Sequence, residues 1–169
     1  MLKSNRVYLW GFMGCGKSTI GLSLAKTLSI PFLDTDQQVE MMSCMNITEI
    51  FHQHGEAYFR FLESQVLHHT NLLHQAIIAT GGGLPSNQNL FERMNELGIT
   101  IYLQMPFDEL WQRIQKDHVQ RPMVKSFEQM QALYLEREKI YHKAHITVNA
   151  TMQTSKIITQ IVEEISKKK

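Results

Sequence analysis

A parallel β-sheet covered by helices on both faces, a three-layer α/β/α fold, is what three features of this sequence predict. Short apolar runs alternate with stretches of helical spacing. The first apolar run passes through a glycine-rich turn straight into a helix. No internal repeat, low-complexity tract or Pro/Ser-rich linker divides the 169 residues, so a single domain is expected over 1–169.

The elements follow in order. Residues 6–10 read as the first strand, and 17–28 as a helix with Ile20, Leu24 and Leu28 on one face. Residues 31–33 form a short second strand. Helices are expected over 37–45 and 47–54, with Asn46 able to cap the second, before Gly55 breaks the pattern and 56–73 resumes it. Residues 76–80 are a buried strand that runs into three glycines. A helix over 90–97, a strand over 99–103 and a helix over 107–116 come next. Residues 117–125 are polar and hold Pro122, so they read as a loop. A helix over 127–142, a last strand over 146–148 and a closing helix over 155–165 complete the chain. Sheets of this kind bind ligands beyond the carboxyl ends of their strands, and the motifs described next fall there.

Composition excludes several classes. The chain is 43% hydrophobic and 20% charged, with a net charge of +1. That balance argues against the clustered basic face a nucleic-acid binder needs. No apolar run reaches the ~18 to 20 residues that span a bilayer, and the opening MLKSNRVYLWGF reads as a strand rather than a signal peptide. The Lys167-Lys168-Lys169 run reads as a solvated helix end. Cys15 and Cys44 form no disulfide framework and are expected as reduced thiols. His52 and His54, two apart, do not share a helix face, and adjacent His68 and His69 do no better as metal ligands. The ten methionines read as core filler.

Gly11-Phe12-Met13-Gly14-Cys15-Gly16-Lys17-Ser18 has the pattern G-x-x-x-x-G-K-[ST]. It follows a strand and opens a helix. Glycines at 11, 14 and 16 allow positive φ, so that backbone N–H groups can converge at a helix N-terminus and hold phosphates. Lys17 would reach the β- and γ-phosphates of a nucleotide, Ser18 would ligate Mg²⁺ and Thr19 would meet the α-phosphate. Cys15 occupies a variable position as a small filler. The motif alone does not separate a kinase from a GTPase or a motor.

Leu33-Asp34-Thr35-Asp36 closes the second strand. On an extended chain, carboxylates at i and i+2 point to one side. One could hold Mg²⁺, directly or through water, while the other orients a hydroxyl. Alternatively, one of them caps the following helix. Arg60 lies between Phe59 and Phe61, with Glu63 three residues on to hold it. A fixed guanidinium suits a carboxylate, but spacing alone equally allows a surface arginine. Thr80-Gly81-Gly82-Gly83 lets backbone amides approach a ligand, and Thr80 could bind a metal-linked water. Arg121 sits in the polar loop, where it could close over a nucleotide. Arg137 lies on a highly charged helix that, unaided, reads as a solvated face.

Taken together, GFMGCGKST at 11–19, LDTD at 33–36, FR at 59–60, TGGG at 80–83, RP at 121–122 and R-x-x-x-Y at 137–141 resemble the shikimate kinase family over nearly the whole chain. The resemblance implies a five-stranded parallel sheet like that of nucleoside monophosphate kinases. A substrate-binding helical region would span about 34–62 and a mobile lid about 112–125. It implies Mg-dependent transfer of the ATP γ-phosphoryl group to the 3-hydroxyl of shikimate. Gly14, Cys15, Gly16, Lys17, Ser18 and Thr19 would hold the phosphates. Ser18 would ligate Mg²⁺ directly, and Asp34 would hold it through water and help orient the reacting hydroxyl. Asp36 would bind the substrate hydroxyls and take the proton. Arg60 and Arg137 would clamp the carboxylate, with Gly82 and Gly83 donating backbone hydrogen bonds. Arg121 would come from a lid somewhat shorter than the family's. For adenine, the resemblance points to Arg113 and to 149–153, which lacks the arginine or proline some members show. It further implies a cytoplasmic monomer in the route to chorismate, without nucleic-acid or membrane partners. Two rivals stand beside it: a gluconate kinase-like enzyme, and a catalytically silent nucleotide-binding module.

Overall fold

The computed structural model describes residues 5–116 and 126–168. Five strands alternate with helices: β1 (Asn5–Trp10), β2 (Phe32–Asp34), β3 (Gln75–Ala79), β4 (Ile99–Gln104) and β5 (Ile146–Asn149). They pair in parallel in the order β2-β3-β1-β4-β5. The helices are α1 (Lys17–Leu28), α2 (Thr35–Ser43), α3 (Ile47–Thr70), α4 (Gln88–Leu97), α5 (Phe107–Lys116), α6 (Phe127–Tyr141) and α7 (Thr154–Lys167). A 3₁₀ turn, Leu84–Ser86, precedes α4. The expected loop at 117–125 lies outside the described residues.

Parallel strands buried on both faces carry continuous apolar runs, and β1, β3 and β4 do so here. Tyr8, Leu9, Trp10, Ile77, Ile78 and Ile101 are fully buried at the centre of the main core. A second, smaller core of Val39, Ile50, Phe59, Leu62 and Val66 joins α2 to α3. That core holds the helical region above the sheet as a separate packed unit.

Two boundaries differ from expectation for physical reasons. Helix α2 begins at Thr35 rather than 37, because the Asp34 side chain accepts a hydrogen bond from the Asp36 N–H and caps it. The break at Gly55 is a single residue with φ 77° and ψ 178°, and helical structure resumes at once to make one kinked element. Asn46 caps α3 as expected, in a reciprocal box with Glu49.

The strand order sets the site. From β1 the chain moves outward to β2, returns through β3, then crosses β1 to reach β4 on the other side. The carboxyl ends of β1 and β3 therefore emerge side by side at the point of reversal. Leu9 is paired with Ala79, and the Leu9 carbonyl accepts the Thr80 N–H. The two glycine-rich loops thus start as neighbours although seventy residues separate them in sequence.

Candidate active site

The turn after β1 is built from backbone conformations that only glycine adopts readily. Gly11, Gly14 and Gly16 have φ of 148°, 83° and 92°. At Gly11 a Cβ would also stand 2.7 Å from Cys15 Sγ. Gly16 caps α1 in the left-handed region, which turns the loop amides toward the helix axis. The Lys17 ammonium donates to the carbonyls of Gly11 at 2.8 Å and Phe12 at 3.1 Å, so it lies across the loop. Ser18 and Thr19 sit exposed on the first turn of α1. Arg113 of α5 reaches the Gly14 carbonyl at 3.4 Å and stands over the same loop.

Cys15 was expected among the phosphate-binding residues, but its side chain is turned inward. It is buried, is not part of the cleft wall, and packs beneath Gly11. Any contact it makes with phosphate has to come through its backbone.

Asp34 both caps α2 and faces the loop. Its Oδ1 accepts from the Asp36 N–H at 3.0 Å, and its Oδ2 accepts from the Ser18 hydroxyl at 2.5 Å. The two uses weighed for this residue are not alternatives. Asp34 and Asp36 do not align along an extended chain as the strand reading expects, because Asp36 is already in the first turn of α2. Both still border one cleft of about 880 Å³, brought there by the strand-to-helix corner. Ser18 and Asp34 present hard oxygen donors beside the loop, which fits a Mg²⁺ accompanying a nucleotide.

Across the cleft, each glycine of the second run gives way to a functional group. At Gly81 a Cβ would meet Asp36 Oδ1 and Glu63 Oε1, each at 2.7 Å. At Gly83 it would meet the Arg60 guanidinium nitrogens at 2.7 and 2.9 Å. Gly82 lies 3.5 Å from Arg137 Nη1 by the same measure. The run is not a flexible turn: Thr35 Oγ1 accepts the Gly81 N–H at 2.8 Å and ties it down. Thr80, considered for a metal-linked water, donates its hydroxyl to the Leu9 carbonyl instead.

Arg60 is held by two carboxylates, Glu63 at 2.6 Å and Glu56 at 2.8 Å. Burial works against its charge, and the two acids outweigh that and keep it protonated. Glu63 is the cost of this arrangement. Burial, assisted by the neighbouring Asp36, pushes its carboxyl up to about 7 despite the pull of Arg60. Its Oε1 has no hydrogen-bond partner among the described residues.

Arg137 is not on a solvated face. It is buried, with its guanidinium 5.9 Å from the Phe12 ring centre, and it borders the same cleft. The charged surroundings in sequence concealed a helical stripe: Met130, Tyr134, Arg137 and Tyr141 are the buried residues of α6. Their spacing of four, three and four residues was the available signal. The sequence marks Glu63 only as the partner of Arg60, three residues away, and not as part of the cleft wall; nothing in its local sequence marks Thr35. Arg121 lies outside the described residues.

A left-handed glycine loop with its lysine, an acidic strand end and two fixed guanidiniums share one cleft on a parallel sheet. This is the site of a P-loop phosphotransferase acting on a small anionic acceptor. The shikimate kinase family model matches residues 13–166. A shikimate kinase of Aquifex aeolicus (strain VF5) is 39% identical over 158 residues, covering 93% of this chain and 94% of that one. The crystal structure of shikimate kinase from the same organism superimposes with a TM-score of 0.87 at 38% identity, covering 95% and 96% of the two chains. Shikimate kinase from Acinetobacter baumannii, in complex with shikimate, gives a TM-score of 0.92 at 30% identity, covering 99% and 96%. The chain belongs to the shikimate kinase family.

Proposed function

We propose that this enzyme transfers the γ-phosphoryl group of ATP to the 3-hydroxyl of shikimate, giving shikimate 3-phosphate and ADP. One observation carries the proposal: the phosphate loop and two guanidiniums, Arg60 and Arg137, meet across the Gly81–Gly83 run in one cleft. A gluconate-type acceptor would also carry a carboxylate, but the paired, rigidly held guanidiniums suit a compact ring acid gripped at one end.

Transfer of this kind is mostly positioning and charge neutralisation. The amides around Gly14 and Gly16, with Lys17, would cradle the phosphates; Thr19 would meet the α-phosphate. Ser18 directly and Asp34 through water would hold Mg²⁺, which supplies charge neutralisation there. Arg60 and Arg137 would grip the carboxylate, with the Gly82 and Gly83 amides alongside. That grip would leave the 3-hydroxyl facing the loop. Asp36 would orient this hydroxyl and accept its proton as the new O–P bond forms and the bond to ADP breaks. Arg121 would arrive with the lid and complete the charge around the migrating group. The same proposal takes the protein as a cytoplasmic monomer, partnered by shikimate rather than by nucleic acid or a membrane.

The test is ADP release from Mg-ATP with shikimate, quinate or gluconate added in turn. Shikimate alone should stimulate turnover strongly. Stimulation by gluconate and not by shikimate would move the substrate assignment. ATP binding without stimulation by any acid would favour the silent nucleotide-binding module.

A further inference from the structure

Behind the cleft, Tyr141 occupies a place that neither the phosphate loop nor the acid clamp explains. It is the last residue of α6, four after Arg137 and on the same face. Its side chain is fully buried and does not border the cleft. The hydroxyl donates to the Gly82 carbonyl at 2.5 Å. The ring packs on Tyr102 with centroids 5.2 Å apart, which fixes its direction.

We infer that Tyr141 is a positioning residue that sets the Gly82–Gly83 peptide and the Arg137 guanidinium in register for the carboxylate of the substrate. The inference rests on the shikimate kinase reading of the cleft.

The geometry has a specific consequence. In a trans peptide the C=O and the following N–H point in opposite directions. By drawing the Gly82 carbonyl toward itself, Tyr141 turns the Gly83 N–H away from α6. Glycines rotate freely unless something holds them; in this run Thr35 holds the Gly81 N–H, and the Leu84 N–H closes a turn onto the Gly81 carbonyl at 3.1 Å, which leaves the Gly82–Gly83 peptide inside the turn to be oriented. Tyr141 orients it. The same helix carries Arg137, which lies 3.5 Å from where a Gly82 side chain would begin. Helix α6 also packs on the 3₁₀ turn that follows the glycines. Arg137 and the glycine amides belong to elements far apart in sequence, and one hydroxyl couples them. Burial raises the Tyr141 phenol far above its ordinary value, against the opposing pull of Arg137. The hydroxyl therefore keeps its proton and remains a donor to the carbonyl.

Tyr141→Phe keeps the ring and its packing and removes what the hydroxyl holds, the Gly82 carbonyl and the Arg137 guanidinium beside it. It should raise KM for shikimate about tenfold, the loss expected for one buried hydrogen bond. ADP affinity, measured by calorimetry, should stay within about twofold and report an intact phosphate loop. In a double-mutant cycle with Arg137→Lys, the two losses should be less than additive, because both act on one grip. Unchanged KM for the acid overturns the inference. So does a parallel loss of acid and ADP affinity, which would mark Tyr141 as merely structural. Wild-type protein run beside the variant separates this from the functional reading. If another acid replaces shikimate as the stimulating substrate, the ratio is taken on that acid. If no acid stimulates the wild type, both fall.

Discussion

At the scale of single residues, Glu63 shows how the site trades stability for a charged clamp. Its carboxyl is 2% exposed and pairs with Arg60, yet one oxygen has no partner among the described residues. Burial first, then Asp36, raises it from an ordinary 4.5 to about 7. The native state therefore binds its proton more readily than the unfolded chain. Stability should fall as pH rises from about 4.5 to about 7, and level off above. Glu63→Gln removes this titration. Urea unfolding at pH 5 and pH 8 should show the variant gaining on the wild type by up to about 3 kcal/mol at the higher pH. An unchanged difference between the two pH values would mean that Glu63 does not titrate in this range. The affinity of the acid should fall in the variant at pH 8, where Arg60 loses its closest charged partner, and change little at pH 5, where Glu63 is already neutral.

At the scale of elements, the amino-terminal edge of the sheet is pinned by a polar cluster far from the cleft. The Thr100 N–H donates to His145 Nδ1 at 3.1 Å, and the Thr100 hydroxyl accepts the His145 N–H at 3.0 Å and meets Asn95 Oδ1 at 2.7 Å. This ties the end of α4 and the start of β4 to the residue before β5. A backbone N–H can only donate, so Nδ1 must be the unprotonated nitrogen and the ring neutral. Burial, and then Lys168 on the adjoining helix end, lowers the His145 value below its usual 6.5. The native state thus binds this proton less readily than the unfolded chain. The stability the pin contributes is full above about 6.5 and declines below that, as pH falls toward the lowered native value at which the ring itself protonates. This slope runs opposite to that of Glu63, so each needs its own variant. His145→Gln should cost about 1 kcal/mol at pH 8 and abolish the loss of stability toward acid. Thermal unfolding across pH 5 to 8 measures both, and an unaltered acid limb in the variant would remove His145 as its cause.

For the whole molecule, the order β2-β3-β1-β4-β5 determines what can meet what. The phosphate half of the cleft hangs from β1 and α1, inside the main core. The acid half hangs partly from α6, which packs in the same main core, and partly from the Arg60 segment of α3, which sits on the smaller core. A ligand that touches both halves should therefore tie together parts of the molecule with separate packing. Shikimate at about 100 times its Kd should add about 2.7 kcal/mol and raise the melting temperature by roughly 5 to 10 °C. Gluconate at the same concentration should leave it unmoved. An equal rise with both acids would point to a clamp that reads only the carboxylate.

Sequence alone determined the parallel α/β architecture, the phosphate loop and the run of elements, because these depend on local periodicity and on glycines that one backbone shape requires. It also brought Arg60 and Glu63 together, three residues apart on one helix. Only the tertiary structure decided the rest. Asp36 reaches the cleft by a helix corner that Asp34 itself caps, not by strand alternation. Arg137 is buried because α6 turns its Met130–Tyr141 stripe inward, against neighbours contributed by distant parts of the chain. Each glycine of the second run meets a different group, from α2, α3 or α6. Such meetings follow from packing between elements remote in sequence, and no local pattern encodes which side chains will face each other there.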